Sequence, residues 1–162
     1  MAKNKEEKTN VMRVLEQKKI AYTAHTYPHE EGVAVDGVTV AQSMGFDPAI
    51  VFKTLVARGA SKQYYVFDVP VAENLDLKKA AKAVGEKSIE MIHQKELLPL
   101  TGYVHGGCSP VGMKKLFPTV FHETAENLET MIVSAGKIGY QVELSPRDLA
   151  ALVRAKFADI IA

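Results

Sequence analysis

A single lysine interrupts the run AIVFKTLVA (Ala49–Ala57), where every other residue suits or tolerates a buried strand. A buried ammonium is costly and is usually paired, neutralised or functional. On a strand, Val51, Lys53 and Leu55 share one face, and Phe52, Thr54 and Val56 share the other. Two readings stand. Lys53 guards a sheet edge or snorkels to solvent, or it sits at the floor of a pocket and donates to a carbonyl or phosphate oxygen, as an oxyanion stabiliser would.

A second candidate is GGCSPVGMKK (Gly106–Lys115). Gly106 and Gly107 let backbone N–H groups approach a ligand, and successive amides can form an anion-binding concavity. Ser109 precedes Pro110 and is biased towards extended backbone. An ordinary surface loop is the alternative, and the glycine spacing excludes a P-loop. Cys108, with His105 three residues away, would need a lowered pKa and a partner base to act as a nucleophile. Lone cysteines are more often small buried hydrophobes. In VSAGKIGYQVEL, Ser134 and Gly136 sit at a strand end where a hydroxyl and a bare backbone can face a pocket. His25 and His29 have i, i+4 spacing on a strand and loop rather than a helix, so no metal site is predicted. Lys78, Lys79, Lys82, Lys87, Lys114 and Lys115 form either a basic rim or a solvated face.

The elements that must carry these residues are legible in outline. A chain of 162 residues suits one domain, 1–162, with a core of its own. The balance of 20 Lys+Arg against 19 Asp+Glu argues against a strongly basic nucleic-acid scaffold and against a DNA partner, yet permits a local patch that steers RNA. One cysteine allows no internal disulfide and fits a reducing compartment. The start, MAKNKEEKTN, is polar and reads as no signal peptide. No run approaches the ~20 apolar residues of a membrane span, so a soluble, cytoplasmic protein is expected.

Helices are predicted in TNVMRVLEQKKI, VTVAQSMGF, NLDLKKAAKAVG and HQKELLPL, the last broken by Pro99. A closing helix starts at SPRD and carries Leu149, Val153, Phe157 and Ile160 on one face. Strands are predicted at Ala21–Tyr27, in SIEMI, in PTVFHE, and in TGYVHGG running into the glycine loop. Hairpins are predicted around Gly59–Lys62 and across the Gly136–Gly139 turn. The result is α+β, with a mixed, mostly antiparallel sheet that can close into a barrel.

Six segments in order are HTY, VFKTLV, PVAENLDLKKAAKAVG, TGYVHGGCSPVGMKK, VSAGKIGYQVEL and AKFADI. Together they resemble the YbaK/ProX family of trans-editing aminoacyl-tRNA deacylases, in its YbaK branch, over nearly the whole chain. The resemblance implies a barrel-like core of the prolyl-tRNA synthetase editing-domain type, with surrounding helices. It makes Lys53 the catalytic donor. Tyr27, Thr54, Gly106 and Ser134 would line the aminoacyl site, with Gly107, Ser109, Gly136 and Gln141 as further substrate-binding positions. It implies clearance of Cys-tRNA(Pro) or Cys-tRNA(Cys), as a lyase or hydrolase, by attack of the substrate's own thiol on the ester, giving a cyclic thiolactone. No cofactor or metal is implied. The implied partners are the 3′ aminoacyl end of a mischarged tRNA and prolyl-tRNA synthetase. The rivals are an Ala-tRNA(Pro) deacylase using water and a non-catalytic amino-acid or RNA-binding module. Gln141 stands where relatives carry an aspartate, and Cys108 where an aliphatic residue is common.

Overall fold

A computed structural model describes residues 8–30 and 32–162. The first seven residues of the polar start, and Glu31 of the loop before the second helix, lie outside them. Local chemistry sets most of the element boundaries. Helix α1 (Asn10–Gln17) begins where the Thr9 hydroxyl accepts from the Met12 amide, and α2 (Gly37–Met44) where Asp36 accepts from Thr39. Helix α3 (Leu77–Val84) is capped by Asp76, and α5 (Pro146–Val153) by Ser145 with proline at its first position. Gly45 and Gly85 close α2 and α3 in the left-handed conformation. Between α2 and the first hairpin, Asp47 caps a single 3-10 turn, Pro48–Ile50.

Strands β1 (Thr23–Thr26), β6 (Met131–Ser134) and β7 (Tyr140–Leu144) form an antiparallel sheet in the order β1-β7-β6. Strands β2 (Phe52–Gly59), β3 (Tyr64–Pro70), β4 (Ile89–Met91), β5 (Thr119–His122) and β8 (Lys156–Ala158) form the second, in the order β4-β2-β3-β5-β8. The β2–β3 hairpin is antiparallel, whereas β3–β5 and β5–β8 are parallel. Alternation sorts the side chains. Phe52, Val56, Val66 and Phe121 from the larger sheet meet Met131, Val133, Val142 and Leu144 from the smaller one, with α1 and α5 closing that core. The opposite face of the larger sheet, with Phe67, Val69 and Val120, is covered by Ala80 and Ala81 of α3.

Four expectations need correction. The mixed α+β fold is present, but the sheets do not close into a barrel. They remain two sheets, joined in backbone pairing by the isolated bridge Val51↔Ile132. Helix α4 (Gln94–Thr101) runs through Pro99 and ends at Gly102. In so short a helix the proline removes one hydrogen bond near the end, and the following residues still complete the turn. Tyr103 and Val104 form no strand; the buried Tyr103 hydroxyl instead donates to the Val111 carbonyl at 2.5 Å, pinning an irregular segment. The closing helix stops at Val153, where Arg154 turns left-handed at φ 59°. Phe157 then lies on β8 and Ile160 beyond it, so neither belongs to the helix face.

Candidate active site

Strand β2 pairs with β4 only from Ala57 onward, which leaves its first half uncovered on that side. There a cavity of about 510 Å³ opens against the smaller sheet. Its floor is Val51–Leu55. One wall is Gln141 of β7 with Ser134 at the end of β6, directly opposite one another in register. Tyr27 follows β1, its amide donating to the Gly139 carbonyl at 2.9 Å. Ala34–Gly37 and Val40 of α2 form the rim, faced by His105, Gly106 and Cys108 of the glycine loop.

Lys53 lines this floor half-buried, and its ammonium makes no hydrogen bond or ion pair with any described residue. The two readings of the sequence therefore meet in one place: the lysine is on an uncovered strand edge, and that edge is the cavity floor. Thr54, opposite Asp68 in the β2–β3 register, donates its hydroxyl to Asp68 Oδ1 at 2.5 Å. Asp68 is fully buried, and its Oδ2 has no partner. Burial pushes its carboxyl up to about 7, against the opposing pull of the Thr54 hydroxyl. Gln141 is also buried, and its Oε1 has no hydrogen-bond partner, so an acceptor is left in the cavity wall.

The structure brings Lys53, Tyr27, Thr54, Gly106, Ser134 and Gln141 around one cavity, and leaves Gly107, Ser109 and Gly136 outside its lining. The Gly107 amide is already spent on the Val104 carbonyl at 3.0 Å, so the expected pair of free glycine amides is not available. Ser109 is fully buried and its hydroxyl accepts from the Val111 amide at 3.2 Å. Gly136 donates to the Ser134 hydroxyl at 3.1 Å and is wedged against Tyr103, where a Cβ would come within 2.9 Å of the ring. Gly106 belongs at the rim for a steric reason: its φ is +90°, and a Cβ there would lie 2.7 Å from the Ala34 Cβ.

Cys108 lines the cavity, but burial, reinforced by the Asp68 charge, pushes its thiol up to about 12. No hydrogen bond joins it to His105. It is a thiol and not the thiolate a nucleophile requires. His25 lies off the cavity, 2.8 Å from Glu143 and edge-on to Phe46. Among the described residues no group of three or more His, Cys, Asp or Glu side chains is placed to hold a metal. Asp68 is the site residue that reading along the chain missed. Its signal was a lone acid inside the apolar strand YYVFDVP.

The aminoacyl-tRNA editing domain family matches residues 32–152, a span that includes every cavity residue except Tyr27. A curated Enterococcus faecalis protein, "Putative Cys-tRNA(Pro)/Cys-tRNA(Cys) deacylase EbsC", is 45% identical over 161 residues, covering 99% of this chain and 98% of that one. A crystal structure described as "a putative trans-editing enzyme for prolyl tRNA synthetase" is 26% identical with a TM-score of 0.79, covering 94% of each chain. A further crystal structure, of a hypothetical protein, shares the fold at a TM-score of 0.82 and 20% identity, over 94% of this chain and 99% of that one.

Proposed function

This chain belongs to the aminoacyl-tRNA editing domain family, and from that premise we propose that it is a trans-editing deacylase that clears Cys-tRNA(Pro). The observation that carries this reading is the Lys53 ammonium, without a partner among the described residues, on the floor of a cavity sized for an aminoacylated ribose. An amine held there without an internal partner is free to donate to the ester carbonyl and to stabilise the oxyanion that forms on it. The walls supply no activated nucleophile to accompany it: Cys108 is held protonated, and the Ser134 hydroxyl is engaged by Gly136. The substrate's cysteine thiol fills that role. Attached to the same acyl group, it attacks the ester carbonyl at high effective concentration, giving a thiolactone and free tRNA. Tyr27 and Gln141 then hold the aminoacyl end.

Partner and substrate class follow from the same premise. The solved relative is described by its relation to prolyl-tRNA synthetase. A chain of net charge +1 neutralises few phosphates unaided, so a synthetase that delivers the tRNA fits it. Among the described residues, no helix is long and apolar enough to cross a membrane.

Single-turnover deacylation of Cys-tRNA(Pro) and Ala-tRNA(Pro) by wild type and Lys53→Ala tests the reading. The expected result is clearance of the cysteinyl ester alone, with a loss of about 100-fold or more in Lys53→Ala, the effect of removing an oxyanion donor. Equal clearance of both esters overturns the thiol mechanism. An unimpaired Lys53→Ala removes the lysine from the chemistry, and tRNA binding without turnover makes the domain a binding module.

A further inference from the structure

Asp68 is buried without charge compensation. It faces the main core beside Val66 and, in register on β5, Phe121. No cation among the described residues pairs with it, and one of its two oxygens has no partner. A carboxylate buried in this way is costly to keep charged. Its one hydrogen bond, at 2.5 Å, is to the hydroxyl of Thr54, a residue that lines the cavity. Because Thr54 gives its hydrogen to Asp68, it turns only lone pairs towards a ligand. A group bound at Thr54 is therefore a hydrogen donor.

We propose that Thr54 and Asp68 form a two-residue proton relay that accepts the proton of the substrate's cysteine thiol and stores it in the core while the ester is cleaved. This rests on the deacylase reading above. The thiol proton passes to Thr54 Oγ1 as the proton of Thr54 passes to Asp68 Oδ1. The sulfur electron pair then forms the S–C bond to the ester carbonyl, and the C–O bond to the ribose breaks. The ribose oxygen leaves with that electron pair and takes back a proton from Asp68 through Thr54. Thr54 touches the substrate; Asp68 acts through it.

The surroundings match that task. A carboxyl that titrates near 7 is a base suited to neutral pH. The ionisable group facing it from the glycine loop is the Cys108 thiol, which stays neutral, and β5 presents the apolar Phe121. Lys53, though adjacent to Thr54, falls on the other face of β2 opposite Val69.

The test is the pH dependence of single-turnover Cys-tRNA(Pro) deacylation, from pH 5.5 to 8.5, by wild type, Asp68→Asn, Thr54→Val and Thr54→Ser. Wild type is expected to show an inflection near 7 besides that of the substrate thiol at about 8.5. Asp68→Asn and Thr54→Val should lose about 100-fold at pH 7 and lack the lower inflection; Thr54→Ser should retain both. A purely structural role would shift melting temperature without removing an inflection. If Asp68→Asn fails to fold, the Thr54→Val and Thr54→Ser pair decides alone. Turnover by wild type with no inflection near 7, or with Asp68→Asn or Thr54→Val unimpaired, overturns the relay and leaves the deacylase reading standing. Absence of turnover by wild type overturns both.

Discussion

Lys53 and Asp68 are chemically mirrored: each is a charge set between apolar neighbours on its strand, and they lie on the two arms of one hairpin. The structure treats them differently. Lys53 is half-buried with a cavity in front of it, while Asp68 is sealed into the core, its one hydrogen bond among the described residues made with the Thr54 hydroxyl. This has a consequence for stability. The folded state holds the Asp68 proton up to about pH 7, whereas an unfolded aspartate loses it near 4. Between those values the folded state binds more protons than the unfolded one, so the group's contribution is fully present below about pH 4. It is lost as pH rises through about 7, at a total cost on the order of 4 kcal/mol. Asp68→Asn, which cannot ionise, should therefore melt at a higher temperature than wild type at pH 8, with the advantage shrinking towards pH 5. Thermal denaturation at the two pH values measures it, and an equal shift at both would show that ionisation is not the cause. Lys53 stood out in the sequence because AIVFKTLVA invites a buried strand. The same reasoning applied to YYVFDVP would have singled out Asp68, but its meaning depends on Thr54, fourteen residues away across the hairpin.

At the scale of elements, what the sequence revealed was what neighbouring residues decide. Thr9, Asp76 and Ser145 cap the helices they precede, because a cap is a contact between residues two or three apart. The tail misled for the complementary reason. Leu149, Val153, Phe157 and Ile160 keep helical spacing, but β8 is recruited by β5 in a parallel pairing that no local pattern announces. The glycine loop shows both sides. Its glycines were visible, but which amides remain free was decided by the turn that spends Gly107 on Val104. Gly106 is the point where loop and rim touch. Gly106→Ala would place a methyl group 2.7 Å from the Ala34 Cβ on a backbone of positive φ. The expected cost is about 1–3 kcal/mol, together with reduced kcat/KM as the rim is pushed aside. Denaturant titration and steady-state kinetics report the two effects, and a variant with wild-type stability would mean that the rim yields without strain.

Taken whole, the molecule places its cavity where two sheets meet. Lys53 and Thr54 come from one sheet, Ser134 and Gln141 from the other, and α2 with the glycine loop closes the space between them. The backbone connection beneath is slight: among the described residues it is the isolated bridge Val51↔Ile132. A ligand that touches both walls works as a clamp across this seam. Deuterium uptake by the amides around the Val51–Ile132 bridge should slow when an uncleavable cysteinyl-amide analogue of the tRNA terminus is added, while β4 and β8 exchange as before. Unchanged uptake at the seam would mean that the walls already move as one body. The seam is thus a built-in gauge of occupancy, one that reads whether the cavity is filled even when nothing is turned over.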